Sequence, residues 1–357
     1  MAYSGTVGTT VIKVQTLIDH GARRCGKLAE ELTSEQVLSA RESLYFALSN
    51  LINIGIQYWA IDKKVYGLQA DQYVYLLPVG GNDVLQALYR QMNRPTPNST
   101  GGYVSSDGGI VENAFDQNVD TILTQNAPDG SVTVDYGGDN PVYVGSIGIL
   151  PGVTGTFNVV FEYSADGLTW NTLKAPGATE WVDNQWIWYD IEPGQTVEFY
   201  RIRETGGNTL SLREFFLGNN STEITMARLN RDDYTNLPNK QFTANQPFQY
   251  WLNRTIPQAQ ITLWPVPSDT FVQMTVWYSR QIMDVGDLYG ELEIPQRWYE
   301  AVQMMLSHRM SLELPGVDMA RIQYLEAQSE KYLTLAEAEE RDKSPIYFAP
   351  NISCYTR

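Results

Sequence analysis

The chain has 357 residues, of which 43% are hydrophobic and 12% aromatic, enough apolar material for two or three packed domains. Its 41 acidic and 25 basic residues give a net charge of −16, which argues against tight binding of nucleic-acid phosphates. The two cysteines, Cys25 and Cys354, lie near opposite ends, which excludes a disulfide framework or a cysteine zinc site. We also expect no signal peptide and no membrane span, because the required apolar runs are absent from the sequence.

Helical patterns dominate the first part of the chain. Apolar residues at helical spacing predict a helix over 10–25. Thr33, with Gln36 three residues later, predicts a capping box at the start of a second helix. The stretch "QYVYLLP" (72–78) is typical of a short strand, and "NDVLQALYRQM" (82–92) is predicted to begin a third helix.

The middle of the chain differs in composition and in pattern. Between 101 and 220 lie 16 of the 41 acidic residues but only 4 of the 25 basic ones, so this stretch carries −12 of the net charge. From about 111 to 218 the pattern is one of short strands and turns. In "FNVVFEYSADGLTWNTL" (157–173) apolar residues alternate along a strand, and Asp166-Gly167 then favours a hairpin turn.

The remainder of the chain returns to a mixed pattern. "QITLWPVP" (260–267) and "FVQMTVWYS" (271–279) alternate like paired strands. Pro295 is predicted in the first turn of a helix, and Asp318 at the start of the last one. The core face of the first of these helices is predicted to carry Trp298, Val302, Met305 and Leu312. The final segment, 344–357, is apolar but has neither helical nor strand period. Helices therefore lie at both ends, and a β-rich stretch interrupts them.

Four motifs of the middle stretch occur in an order found in a known family. They are "ENAFDQNVDTILT", "FNVVFEYSADGLTWNTL", "FYRIRETGG" and "LREFFLG". Together they resemble the discoidin or coagulation-factor type C family, whose fold is a galactose-binding-like jelly roll. The resemblance covers roughly a third of the chain and implies an inserted β-sandwich domain.

The outer segments resemble a different family, the head-to-tail adaptor (connector) of short-tailed bacteriophages. The motifs are "YVYLLPVGGNDVLQALYRQ", "LNRDDYTNLPNK", "PFQYWLNRTIPQAQITLWPVP" and "IPQRWYEAVQMMLSHRMS". The resemblance implies a ring, usually of twelve copies, that binds below the portal protein, extends the DNA channel and provides the tail attachment platform. An acidic chain suits a channel through which DNA passes without specific binding.

These resemblances predict an α+β fold, in which an inserted all-β jelly-roll sandwich interrupts a helical adaptor domain with a small antiparallel β element. The predicted domains are the first adaptor part, the inserted discoidin-like sandwich, the second adaptor part and an extended tail, at 1–95, 96–218, 219–343 and 344–357. We expect the insert to be a surface decoration.

The predicted function is that of a virion structural protein at the head–tail junction, made in the host cytoplasm. The implied partners are the portal, a tail nozzle or tail tube protein and other copies of the chain, with a tail fibre or a host glycan as partner of the insert. No catalytic motif is present in the sequence, so no enzyme is predicted. The alternative is a carbohydrate-binding module of a glycan-active protein.

A calcium site is implied by the discoidin resemblance. In that family calcium often binds the loop that "AFDQNVDT" matches, and here Asp116, Asp120 and the carbonyl of Thr121 supply hard oxygen ligands. The family's closing acid falls at Arg213 in the best register, with Glu214 one residue away. The alternative is an acidic loop in water without metal, and no other cofactor is predicted.

Aromatic residues provide the remaining candidates. Trp181 and Trp186 are candidate glycan-stacking residues, with Trp181 expected to be the better exposed; core packing, with Trp186 and Trp188 on one strand face, is the alternative. In the tail, apolar residues are predicted to bind the portal, or else to lie as a strap over their own domain. These tail residues are Ile346, Tyr347, Phe348, Ile352 and Tyr355.

Overall fold

The computed structural model describes residues 11–54, 58–138, 140–219, 221–268 and 271–340. Over these ranges the chain is mostly β-sheet, with a few helices. The α-helices are α1 Val14–Arg24, α2 Ser34–Ile54, α3 Arg231–Thr235, α4 Tyr299–Glu313 and α5 Met319–Glu339. The strands are β1 Ile61–Gly67, β2 Val74–Leu76, β3 Gly81–Met92, β4 Gly102–Ser105, β5 Leu123–Thr124, β6 Ser131–Asp135, β7 Val142–Pro151, β8 Gly155–Ser164, β9 Asn171–Trp181, β10 Ile187–Val197, β11 Phe199–Glu204, β12 Ser211–Gly218, β13 Ser221–Thr225, β14 Ala227–Leu229, β15 Thr243–Ala244, β16 Gln249–Asn253, β17 Gln260–Trp264, β18 Val266–Pro267 and β19 Gln273–Arg280.

The chain forms two compact units. The first, the helical unit, comprises 1–61 and 279–357, and the second, the β unit, comprises 62–278. Within the described ranges no helix has the length and apolar character needed to cross a membrane.

The helical unit is held together by an apolar core to which α1, α2, α4 and α5 all contribute. Trp298, fully buried at the start of α4, packs against Trp59 with ring centroids 5.1 Å apart. The predicted capping box is confirmed, because the Thr33 N–H donates to Gln36 and the Gln36 N–H donates to the Thr33 hydroxyl. Such a cap satisfies N–H groups that the first helical turn leaves unpaired.

In the last turns of α4 the buried face differs from the predicted one. Leu312 is 64% exposed, although its spacing from Trp298 placed it with the core residues. The buried residues near this end are Met310, Ser311 and Leu314, so the packed side of α4 lies opposite to Leu312.

Two four-stranded sheets flank the insertion point in the β unit, and we call them the basal sheets. Their strand orders are β1-β19-β3-β13 and β14-β16-β17-β2, and one apolar core serves both. This β element is larger than expected, and it is not purely antiparallel because β14 and β16 pair in parallel.

Strand β3 overturns one prediction. The segment 82–92 was expected to be helical, but it forms most of β3 and pairs antiparallel with β13, with Leu88 opposite Thr225. Pairing with a strand about 130 residues away has overridden a local apolar spacing that suits a helix.

Strands β4 to β12 form a second β-structure, the inserted sandwich. Its sheets have the orders β10-β7-β12-β5 and β4-β6-β11-β8-β9, and their apolar faces enclose a separate core. The predicted alternation is confirmed, since Phe157, Val159 and Phe161 of β8 are buried in that core. The chain leaves the basal sheets after β3 and returns to them before β13. These two points are adjacent, because the Asn219 N–H donates to the Asn93 carbonyl at 3.0 Å.

Candidate functional site

The outer face of the inserted sandwich carries a row of aromatic side chains. Trp188 of β10 and Phe216 of β12 both lie opposite Gly148 of β7, which has no side chain between them. The Trp188 ring lies over Gly148, where an added Cβ would come within 2.4 Å of it, and its centroid is 5.3 Å from that of Phe216. Trp186 stacks on Trp188 at 4.8 Å. The sandwich is therefore apolar on this outer face as well as in its core.

Strand β1 of the basal sheets packs onto these aromatic rings. Val65 contacts the cluster formed by Trp188 and Phe216. Two residues further on, Gly67 lies so close that an added Cβ would be 2.3 Å from Trp186 Cβ and 2.5 Å from Trp188 Nε1. Only glycine lets the β1 backbone approach the indoles this closely. We call this contact between β1 and the sandwich the seam.

Charged residues extend the seam beyond its aromatic part. Asp190 of β10 accepts hydrogen bonds from Lys63 of β1 and, at 2.6 Å, from Arg90 of β3. Arg90 also donates to Glu223 of β13 at 2.5 Å, and its side chain is only 7% exposed. Burial opposes the charge of Asp190, but the hydrogen bonds from Lys63 and Arg90 outweigh it and hold the pKa of Asp190 below its usual value. The sandwich is thus fixed to the basal sheets and is not a loosely attached decoration.

A cleft of about 560 Å³ opens beside the seam, within the usual size range of small-ligand sites. Its lining residues come from both β-structures and are largely aromatic, amide-bearing or charged. They are Lys64, Val65, Tyr66, Gly67, Gln69, Gln72, Tyr75, Pro176, Thr179, Glu180, Gln185, Trp186, Ile187, Trp188 and Tyr189. Close to it, the Gln69 side-chain amide donates to the Asn184 carbonyl, a further link between the basal sheets and the sandwich.

Two buried hydrogen-bond donors beside the cleft have no partner within the described ranges. The Nε1 atoms of Trp186 and Trp188 are both buried without an acceptor. Two phenols of the cleft are paired, because the Tyr66 hydroxyl donates to the Leu76 carbonyl at 2.8 Å and the Tyr75 hydroxyl accepts the Gln69 N–H at 3.0 Å. Buried donors are normally paired, so the two indole N–H groups are an unusual feature of the seam.

The structure separates the two candidate tryptophans. Trp181 was expected to be the better exposed, but it is 1% exposed and its ring stacks on Phe157 at 4.2 Å inside the sandwich core. It therefore has no free face for a ligand in this structure, and the expected exposure of Trp181 is wrong. Trp186 lines the cleft and is only partly buried. Trp186 and Trp188 do share one face, but it is the outer face, at the seam.

The candidate calcium loop brings some of the predicted ligands together. Asp116 accepts a 2.8 Å hydrogen bond from the Thr121 hydroxyl, and it also accepts the Asn118 N–H at 2.9 Å. Asp120 is exposed, and no contact joins its carboxylate to this pair within the described ranges. Arg213 donates to the Val119 carbonyl at 2.8 Å, so it lies against the loop as a cation, not as a closing acid.

Glu214, one residue further on, is the acid that approaches this loop. It is fully buried, and its Oε1 atom has no hydrogen-bond partner within the described ranges. Burial raises the pKa of Glu214 to about 7, and the charge of Asp116 adds to that rise. A buried carboxylate oxygen without a partner, on a strand that contacts a loop carrying a carboxylate and a hydroxyl, is a donor set that suits a hard cation. Asp116, Thr121 and Glu214 would thus hold calcium, although no cluster of three acidic, histidine or cysteine residues occurs in the described ranges.

Calcium at this position would cross-link the loop to β12 and neutralise two carboxylates. The sequence pointed to Glu214 only as a neighbour of the expected position. The five candidate portal-binding residues of the tail, Ile346 to Tyr355, lie outside the described residues.

Comparisons with known proteins bear on the sandwich only. No protein-family model matches the sequence, and no curated protein matches it. Among solved structures, the module CpGH89CBM32-6 of Clostridium perfringens matches with 15% identity over 36% of this chain and 100% of the module, at a TM-score of 0.32. Chitosan-binding module 1 of a Paenibacillus sp. IK-5 chitosanase/glucanase matches with 17% identity over 35% of this chain and 98% of the module, at 0.29.

The family 32 carbohydrate-binding module of C. perfringens NanJ, solved with galactose, matches with 18% identity over 35% of this chain and 98% of the module, at 0.29. These structural neighbours are carbohydrate-binding modules, and each covers about a third of the chain. Likenesses at such TM-scores carry no argument, so the inserted sandwich is established by its own strand pairing.

Proposed function

We propose that this chain is a structural subunit whose β unit binds a glycan in the cleft beside the seam. The observation that carries the proposal is the stacked pair Trp186–Trp188, which lines a cleft of about 560 Å³. The aromatic rings provide apolar surface for the C–H face of a sugar, and the glutamine amides that line the cleft can donate to its oxygens.

The charges around the cleft favour a neutral glycan. Its charged lining residues are Lys64 and Glu180, which balance each other, whereas the amides of Gln69, Gln72 and Gln185 can both donate and accept. The strongly acidic stretch 101–220 repels polyanions at long range. We therefore expect sulfated and uronic-acid polymers to bind more weakly than neutral saccharides.

Glycan-array binding followed by calorimetry tests this proposal on the full chain. Replacing Trp186 with alanine should lower affinity for the best-binding saccharide by roughly tenfold or more, because tryptophans are frequent binding hot spots. Trp170→Ala is the matched control, since Trp170 is partly exposed on the same sandwich, stacks under Arg201 at 3.9 Å and does not line the cleft. Absence of saccharide binding, or an equal loss in both variants, would contradict the proposal.

A second proposal concerns the helical unit, which we infer serves as the head-to-tail adaptor that the sequence resembles. What supports it, besides the resemblance, is an exposed apolar patch of Tyr45 and Phe46 on α2 with Leu312 on α4, which are 42%, 57% and 64% exposed. Phe46 and Leu312 line one surface hollow together with Arg309. Exposed apolar patches with a charged rim commonly mark protein interfaces. In this proposal, neighbouring copies cover the patch in a ring below the portal, at the head–tail junction of a virion, with the tail bound beneath.

Electron microscopy and mass photometry of the chain mixed with portal rings test the adaptor proposal. We expect rings of about twelve copies, as the resemblance implies, and a Phe46→Lys, Leu312→Lys double variant should fail to form them, because charges at an apolar contact are costly to bury. Leu168→Lys is the control, since Leu168 is 85% exposed on the inserted sandwich. Rings that tolerate the double variant, or a wild-type chain that never associates with portal, would contradict it.

A further inference from the structure

Arg94 joins the end of β3 to the inserted sandwich through a set of buried contacts. Its guanidinium donates to Glu214 Oε2 at 3.1 Å and to the carbonyls of Ala114 and Phe215 at 3.3 and 3.1 Å. It also lies over the ring of Phe115 at 5.4 Å, and its side chain is only 7% exposed. Two backbone carbonyls and one carboxylate surround a single cationic group.

The pairing with Arg94 uses only one oxygen of Glu214. The Oε1 atom is buried and has no partner within the described ranges, on a residue with no exposed surface. Leaving a buried carboxylate oxygen unpaired costs the full loss of its hydration. Arg94 therefore pairs with only one of the two oxygens of this buried carboxylate.

We propose that Glu214 binds two cations at once, Arg94 through Oε2 and a divalent cation, held with Asp116 and Thr121, through Oε1, and that Arg94 thereby limits the affinity for the metal. This inference rests on the candidate calcium loop and is independent of glycan binding. Two positive charges on one carboxylate repel each other, so each weakens the binding of the other. Because such coupling is reciprocal, metal binding also weakens the hold of the sandwich on the segment that follows β3.

Calcium titrations of the full chain, by calorimetry and by melting temperature in calcium or EDTA, test this inference. We expect the wild type to bind calcium and to melt higher in its presence, and Glu214→Gln to lose both effects. Arg94→Gln should melt lower in EDTA but bind calcium about tenfold more tightly, a typical coupling between two sites. Arg203→Gln is the control, because Arg203 pairs with Glu162 elsewhere on the sandwich and should leave calcium affinity unchanged.

Arg94→Lys distinguishes the effect of the positive charge from the effect of altering the side chain. It keeps the charge, so it should bind calcium like the wild type. If Arg94→Gln folds only when calcium is added, the coupling is supported. The inference is overturned if the wild type shows no calcium response, if Glu214→Gln still binds calcium, or if the Gln and Lys variants bind it equally. Failure of Arg94→Gln to fold even with calcium would also count against it.

Discussion

Replacing Arg90 with alanine is expected to lower the free energy of unfolding of the β unit by about 3 kcal/mol, the lower end of the cost of breaking a buried ion pair. Arg90 is 7% exposed and donates to both Asp190 and Glu223. Its removal leaves the Asp190 carboxylate paired with Lys63. We choose the lower end because Glu223 is 36% exposed and water can compensate it. Urea denaturation of the full chain, followed by tryptophan fluorescence, measures the change.

Arg228→Ala is the matched control for Arg90→Ala. Arg228 pairs with Asp83 at 2.8 Å, but its side chain is 44% exposed. Pairs at such sites contribute roughly 0–1 kcal/mol, so we expect a small change in the free energy of unfolding. If both variants lose the same small amount of unfolding free energy, the ion pairs do not fix the sandwich to the basal sheets.

The pH dependence of the seam follows from Asp190. Its folded-state pKa is lowered, so its contribution to stability is present above the unfolded pKa of about 3.9 and is lost as pH falls through the folded value. The difference in unfolding free energy between wild type and Asp190→Asn should therefore shrink below about pH 4.

Replacing Trp181 with alanine is expected to be among the most destabilising substitutions in the inserted sandwich, at about 3–5 kcal/mol. The side chain is 1% exposed and stacks on Phe157, so its removal leaves a large cavity in the core. Glycan affinity of the folded fraction should not change, because Trp181 does not line the cleft. Chemical denaturation and calorimetry together measure the two effects.

Trp181→Phe provides the control for cavity formation. It keeps an aromatic ring against Phe157 and removes an indole N–H that has no partner within the described ranges. We expect it to cost much less than the alanine substitution. A stable Trp181→Ala protein that no longer binds saccharide would restore the role that the sequence suggested for this residue.

Local sequence patterns were sufficient to predict the elements whose contacts are made with residues nearby along the chain. The alternation in β8 and the turn at Asp166-Gly167 are both confirmed, with Gly167 at φ +70° and Asp166 accepting the Leu168 and Thr169 N–H groups. The Thr33 capping box is of the same kind. In each, the deciding contacts lie within about four residues.

Elements whose partners lie far away could not be predicted in the same way. Strand β3 has Val84, Ala87 and Leu88 at helical spacing, and only its pairing with β13 makes it a strand. The cleft combines β1 with the segment around Trp186, two regions that no local pattern joins. The alternation of side chains did indicate this contact, because Trp186, Trp188 and Asp190 occupy the face opposite to Ile187 and Ile191. Large side chains on both faces of one strand indicate that both faces are packed.

Hydrogen–deuterium exchange of the full chain, with and without the saccharide that binds best on the array, tests most directly whether the seam forms a binding site. We predict slower exchange in both β1 and residues 185–189, because the ligand would contact both walls of the cleft. Slower exchange confined to the turns of the inserted sandwich, such as 165–170, with β1 unchanged, would contradict the account.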